Sequence, residues 1–321
     1  MCLVIEGSYP YITGGVSAWV HDLILGLPEI EFSLFTLSPE VGQEHRYELP
    51  ANVVEHKDVV ITEAPGKSRK PRNVNALLEA IDQFHHAAFV GLVPNLTALI
   101  EQLDEGVYIH RLAVESETGW RLLTESNRSN NPLYPFADYF WAWKSAHDML
   151  FTVLGAAPPK ADIYHAVSTG FAGLAATAAR IRRGKPFVLT EHGLYHKERE
   201  MEIAKTQMIR GYQRDMWSGL YRVFSRLAYE HADRTITLFE ANRRREIDMG
   251  CPADRAMVIP NGIDVERYSA VRRQEQEGFS IGLVGRVVPI KDVKTFIATA
   301  RTVSDQIPEA VFYCVGPTDE D

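Results

Sequence analysis

VIPNGID (residues 258–264) is followed, after a polar spacer, by SIGLVGRVVPIKD (residues 280–292). The first segment reads as the end of a buried strand and a turn at Asn261-Gly262. The spacer from Ala270 to Gly278 reads as a linker, and the second segment as a new buried strand followed by a loop that offers Arg286 and Lys291. A chain that leaves one open sheet and begins another here sets a cationic loop beside the cleft between two lobes. The expected organisation is one domain over residues 1–270 and the beginning of a second over residues 278–321.

Upstream, CLVIE (residues 2–6) is an apolar run that ends at Gly7. A loop through Gly14-Gly15 follows, then a helix in which Val16, Trp19, Val20, Leu23, Ile24 and Leu27 recur at three- and four-residue steps. Strand, glycine loop and helix open a doubly wound sheet. Further strands are expected over 31–37 and 53–61, and a basic, Pro-containing connection over 62–73. From Val74 to Leu154 the pattern is helical, with no strand rhythm, and is expected to be a helical insertion with a surface loop over 126–132. Alternation then resumes, with strands over 163–167, 186–190, 235–239 and 257–259 separated by helices. Such alternation implies an α/β fold with a parallel sheet covered on both faces. Beyond Phe279 one βαβ unit fits, so the second domain is expected to be incomplete.

An apolar fraction of 45% in 321 residues suits a large core, and a net charge of -8 disfavours a nucleic-acid surface. The short basic runs at 67–72 and 243–245 read as solvated faces. Cys2, Cys251 and Cys314 lie far apart without metal-ligand spacing, so reduced thiols, no metal site and a cytoplasmic protein are expected. No run is long enough to span a membrane and no leader precedes the first strand. Asn95 and Asn127 each begin an N-x-Ser/Thr pattern, read as a chance match.

Gly14-Gly15, between a strand and a helix, would expose backbone N–H groups and the positive helix end to an anion. A tight turn explains the pair as well. Ser17 is either a ligand group or an ordinary cap. Thr190-Glu191-His192-Gly193 ends an apolar strand, where a charged group is costly unless it faces solvent or a ligand; Tyr195 lies just beyond. His165 ends another strand beside a glycine-led helix and reads equally as structural. His85, His86 and His110 are read as having no partners and no role. Arg286 and Lys291 suit a diphosphate, one as a planar fork and the other as a flexible point charge. Asp319-Glu320-Asp321 reads as solvated acid.

Taken in order, EGSYPYITGGVSAWVH (6–21), HAVSTG (165–170), TEHGLYHKERE (190–200), PNGID (260–264) and GRVVPIKD (285–292) closely resemble the PelF family of bacterial glycosyltransferases, within the retaining glycosyltransferase family four. The resemblance implies a GT-B fold of two Rossmann-like domains. It implies transfer from a UDP-sugar, with UDP-glucose favoured, to a growing exopolysaccharide with retention and without an obligatory metal or other cofactor. In that reading Gly15 approaches the donor phosphate and His192 contacts the transferred sugar. Arg286 and Lys291 neutralise the diphosphate, and Gly14, Ser17, His165, Glu191 and Tyr195 complete the substrate-binding set. The partners implied are the donor, the polysaccharide acceptor and a membrane-bound synthase complex that would hold the protein at the inner membrane. The family's E-x7-E segment is absent, so the 321-residue form is expected to be inactive. The competing readings are an assembly module docking through Phe89, Trp141 and Trp143 of the insertion, and an epimerase or phosphorylase of the same fold.

Overall fold

The computed structural model describes residues 1–63, 68–89, 91–110, 112, 116–130, 135–206, 211–271, 278–288 and 291–316. The chain divides into two compact units, Met1–Asn261 and Gly262–Asp321. Each is described by itself.

The first unit is built on a seven-stranded, all-parallel sheet with strands in the order β3-β2-β1-β4-β5-β6-β7. The strands are β1 (Cys2–Glu6), β2 (Phe32–Ser38), β3 (Val53–Val60), β4 (Tyr164–Ala166), β5 (Phe187–Glu191), β6 (Arg234–Thr237) and β7 (Ala256–Val258). All parallel strands send their carboxyl ends to one edge. The order reverses between β1 and β4, the point at which open parallel sheets generally form a ligand crevice. One face is closed by α1 (Gly15–Gly26), whose Val20 and Ile24 bury against Leu3, Ile5, Phe32 and Leu34. The other carries α6 (Phe171–Arg183). Its run of buried alanines, Ala172, Ala175, Ala176, Ala178 and Ala179, gives that helix a low-profile face in the core with Val4, Ala166 and Leu189.

Between β3 and β4 the chain is helical in its regular parts: α2 (Val74–Phe89), α3 (Leu96–Gln102), α4 (Glu117–Asn130) and α5 (Phe136–Gly155). α4 runs through residues 126–130, where a loop was expected, because Ser126 turns inward to hydrogen-bond the Tyr139 hydroxyl. Residues 131 and 132 lie outside the described residues. Asn95 caps α3 by accepting from the Ala98 N–H at 3.1 Å, a structural use for that N-x-Thr pattern. α7 (Tyr195–Lys205), α8 (Gly211–His231) and α9 (Glu240–Asp248) complete the unit.

Arg182 ties the insertion to the sheet. Its guanidinium donates to the carbonyls of Leu103 at 2.8 Å and Leu154 at 2.6 Å, at the ends of α3 and α5, where helix carbonyls lack partners of their own. Arg182→Ala is expected to cost about 2–3 kcal/mol, read as a lower urea midpoint with an unchanged slope.

The second unit holds α10 (Val265–Ser269) and one βαβ, with β8 (Ser280–Val284), α11 (Val293–Ser304) and β9 (Val311–Val315) in parallel register. Asp292 caps α11 by accepting from the Thr295 N–H. Val284 is 82% exposed. Two sequence expectations are corrected here. Residues 259–264 run without a turn, and Gly262 does not take a positive φ; β8, expected to be a buried strand, is exposed or half-buried along its length. Of the expected linker, 272–277 lie outside the described residues. So do 319–321. No described helix is long and apolar enough to cross a membrane.

Candidate active site

Three helices start at the carboxyl edge around the strand-order reversal, and their N-termini are treated differently. Glu6, the last residue of β1, sends its carboxylate to the start of α6, where Oε2 accepts from the Ala172 N–H at 3.3 Å. The Tyr195 hydroxyl donates to its other oxygen at 2.6 Å. Burial raises the Glu6 pKa, opposed by the Tyr195 hydrogen bond and the Arg199 charge, and Arg199 lies 5.2 Å over the Tyr195 ring. A side chain at Gly170 would collide with this pair, its Cβ falling 2.2 Å from Tyr195 Cζ and 2.5 Å from Glu6 Oε2. Glu191, the last residue of β5, does the same for α7: its Oε1 accepts from the Tyr195 N–H at 2.9 Å. Both helix ends therefore hold a carboxyl group of the chain itself, which accepts from a backbone N–H there.

The start of α1 holds none. Gly14, the N-cap, has extended backbone and supplies no side chain, no acidic residue lies in the first turn, and Gly15 is exposed. A Cβ added at either glycine meets no atom within 4 Å. The free N–H groups and the dipole of this helix are open to an anion from outside.

Beside it stands a neutral aromatic wall. His165 of β4, Trp19 of α1 and His192, just past β5, come together: Trp19 meets His192 edge-on at 4.6 Å between ring centroids and His165 at 6.0 Å. His165 Nε2 pairs with the Thr190 hydroxyl at 2.8 Å. Burial lowers the His165 pKa to about 4, with the nearby His192 adding to the fall, and burial lowers that of His192 too. Both rings are thus uncharged at neutral pH. His192 Nε2 is buried without a hydrogen-bond partner, a group that a ligand hydroxyl would satisfy.

Several expectations are corrected by this geometry. Glu191 faces neither solvent nor ligand: it is 1% exposed and also accepts from Thr169 at 3.1 Å and from the Tyr229 hydroxyl. Tyr195 is buried against Glu6 rather than open to a ligand. Ser17 is 1% exposed because the third position of α1 faces the sheet, so it neither caps the helix nor reaches the crevice. His165 is buried, with Thr190 as its partner. His110 is not unpartnered, since its Nε2 lies 2.9 Å from the Thr152 hydroxyl. Glu6 and Trp19 were missed. Glu6 ends an apolar strand just as Glu191 does, and the same cost of placing a charge there pointed to it; Trp19 carried no signal beyond a helical apolar position.

Arg286 and Lys291 lie in the second unit, in the loop after β8, and both are exposed. The Lys291 stem folds over Gly285, whose added Cβ would lie 3.5 Å from Lys291 Cε. Pro289 and Ile290 between them lie outside the described residues. Among the described residues no three His, Cys, Asp or Glu side chains gather as a metal site requires.

Residues 1–254, which carry the whole seven-stranded sheet apart from its last strand, match the family model DUF3492, described as a domain of unknown function. The chain belongs to the DUF3492 family. No curated protein matches it. Among solved structures, the apo form of the lipopolysaccharide outer core galactosyltransferase WaaB is similar at 10% identity, with a TM-score of 0.41, over 98% of this chain and 68% of that one. The open α1 terminus and the Trp19–His165–His192 wall lie within the DUF3492 match, whereas Arg286 and Lys291 fall beyond it.

Proposed function

We propose that this DUF3492 protein is a retaining glycosyltransferase of GT-B type that moves a hexose or N-acetylhexosamine from a UDP-sugar, with UDP-glucose favoured, to a growing exopolysaccharide of the Pel type. The observation that carries the reading is the unfilled N-terminus of α1 beside a neutral, partly unsatisfied wall, in a sheet whose neighbouring helix ends are already filled by Glu6 and Glu191. The resemblance of its motifs to PelF supplies the substrate class.

The donor's diphosphate meets the α1 N–H groups, with Gly15 leaving room for its approach. The sugar lies against Trp19, and His192 Nε2 hydrogen-bonds one of its hydroxyls. A neutral imidazole suits a neutral sugar, because burying it adds no uncompensated charge. In the transfer step the bond from the anomeric carbon to the diphosphate breaks while the acceptor oxygen bonds to that carbon. The resemblance to PelF gives Arg286 and Lys291 the role of stabilising the negative charge that develops on the leaving diphosphate. The acceptor's proton passes to the departing phosphate oxygen, so the step needs no protein base and no metal. The protein works in the cytoplasm, at the inner membrane through a synthase complex.

The test incubates the protein with UDP-glucose, UDP-N-acetylglucosamine and UDP-galactose plus a glucan or hexosamine oligomer, and reads products by mass spectrometry. Transfer from at least one donor is expected of a form that also carries the E-x7-E segment, and none from the 321-residue form alone. His192→Ala is expected to lower kcat/KM about tenfold to a hundredfold without a change in melting temperature. Epimerised donor without transfer would instead support the epimerase reading.

A second reading, docking to a synthase complex through the insertion, rests on Trp141, which is 62% exposed on α5. Trp143 is core, and the side chain of residue 89 lies outside the described residues. Trp141→Ser is expected to abolish capture of the synthase subunits while leaving sugar transfer intact if docking lies there.

A further inference from the structure

The helical insertion and α8 together wall a cavity of about 960 Å3 that sugar transfer does not use, near the upper end of the usual size for small-molecule sites. Three of its lining side chains form one stack. Trp143 lies on His147 at 4.0 Å between ring centroids, and His147 lies 4.6 Å from His85. His85 was expected to be unpartnered, and the structure corrects this across 62 residues of sequence.

The hydrogen bonds fix which nitrogens carry protons. His147 Nδ1 is 2.6 Å from the Trp143 carbonyl, which only accepts, so Nδ1 is the donor. Burial pushes the His147 pKa down to about 4 and that of His85 well down, so each ring carries one proton at neutral pH. His147 Nε2 is then a bare lone pair. It faces His85 Nε2 at 3.1 Å, so His85 donates from Nε2 and keeps Nδ1 as an acceptor. Trp143 Nε1 can only donate, and it is buried without a partner, a state that costs free energy in an empty site. The rings of Trp143 and His85 are 5.2 Å apart between centroids.

The rest of the lining decides the body and charge of the guest. Ala146, Leu150 and Leu220 present apolar wall. Arg121 is already held by Asp82 at 2.8 Å and Glu125 at 3.5 Å, and Asp215 adds a further carboxylate to the lining. That surplus of negative charge repels an anionic head.

We propose that this cavity binds an uncharged amphiphile, a long-chain alcohol or an equivalent lipid with a neutral hydroxyl head. Its hydroxyl oxygen accepts from Trp143 Nε1, its hydrogen is donated to His85 Nδ1, and its chain lies among Ala146, Leu150 and Leu220. The site is independent of sugar transfer and of Arg286 and Lys291.

The test titrates the protein with the neutral fluorophore N-phenyl-1-naphthylamine, then displaces it with 1-decanol or decanoate below their aggregation limits. Saturable binding at one site is expected, with decanol competing at least about tenfold better than decanoate. Ala146→Trp fills the space and is expected to abolish probe binding, with the fold checked by circular dichroism. Trp143→Phe keeps the ring and removes only the donor, and is expected to weaken decanol about three- to tenfold; it serves as the test if Ala146→Trp does not fold. Absence of saturable binding, equal competition by decanoate, probe binding unchanged in a folded Ala146→Trp variant, or decanol affinity unchanged in Trp143→Phe would each overturn the proposal.

Discussion

Replacement of Arg286 by alanine is expected to lower kcat/KM for sugar transfer about a hundred- to a thousandfold and to leave the melting temperature unchanged. The size follows from when the charge is needed. A diphosphate bound to sugar carries less charge at its bridging oxygen than one that is leaving, so a guanidinium there acts most in the transition state. The absence of a stability effect follows from exposure, since Arg286 stands in solvent after β8. Lys291→Ala is expected to act in the same direction but less, because a point charge on a flexible stem orients an oxygen less tightly than a planar fork. Arg286→Lys should recover only part of the loss. The decisive comparison is initial-rate kinetics of the three variants, made in a form that also carries the E-x7-E segment, with the preferred UDP-sugar.

Glu191 carries the largest expected effect on folding. Its two oxygens take donors from Thr169, the Tyr195 backbone and Tyr229, bringing the start of α7, the loop after β4 and α8 onto the end of β5. Glu191→Ala leaves the Tyr195 N–H and the Tyr229 hydroxyl buried without this acceptor, while Thr169 keeps the Ser225 hydroxyl at 2.8 Å; the cost is about 2–4 kcal/mol, a large share of an ordinary folding stability. Burial pushes the Glu191 pKa from an ordinary 4.5 up to about 8, the Tyr229 hydrogen bond opposes the rise, and the buried Glu246 adds to it. Between these values the folded state holds a proton that the unfolded state has lost. Its contribution is therefore complete below about pH 4.5 and falls away as pH rises through about 8. Glu191→Gln keeps the shape, and the Tyr229 hydroxyl can turn to accept. Urea unfolding at a series of pH values is expected to show wild-type stability declining over that window and the Gln variant declining less. Parallel curves would show that Glu191 is ionised throughout.

Most of the sheet was legible because parallel strands buried on both faces must be apolar runs, and CLVIE, FSLFTLS and FVLTE have that form. The helical insertion was legible from periodicity alone. The uncapped start of α1 was legible because it depends on backbone alone: Gly14-Gly15 between strand and helix supplies no side chain to cap it. The site was not legible where it depended on which side of a strand end a carboxylate turns. Glu6 and Glu191 both end apolar strands and both turn inward, because the helix ends of α6 and α7 supply the N–H groups that make burial tolerable. Nothing local in the sequence distinguishes that use from a ligand contact. The pairing of His85 with His147 joins two helices of the insertion and has no local signal at all.

That contrast between filled and open helix ends makes Gly15→Asp the most direct test. A carboxylate at the first position of α1 finds open space and a favourable dipole, so the fold should be kept and the melting temperature should not fall. The same carboxylate would occupy the place proposed for the donor's phosphate. Calorimetric titration of a form that also carries the E-x7-E segment with the preferred UDP-sugar is expected to show Kd raised at least about tenfold in Gly15→Asp, with Gly15→Ala close to wild type. Unchanged affinity in the Asp variant would contradict a donor phosphate at this helix end.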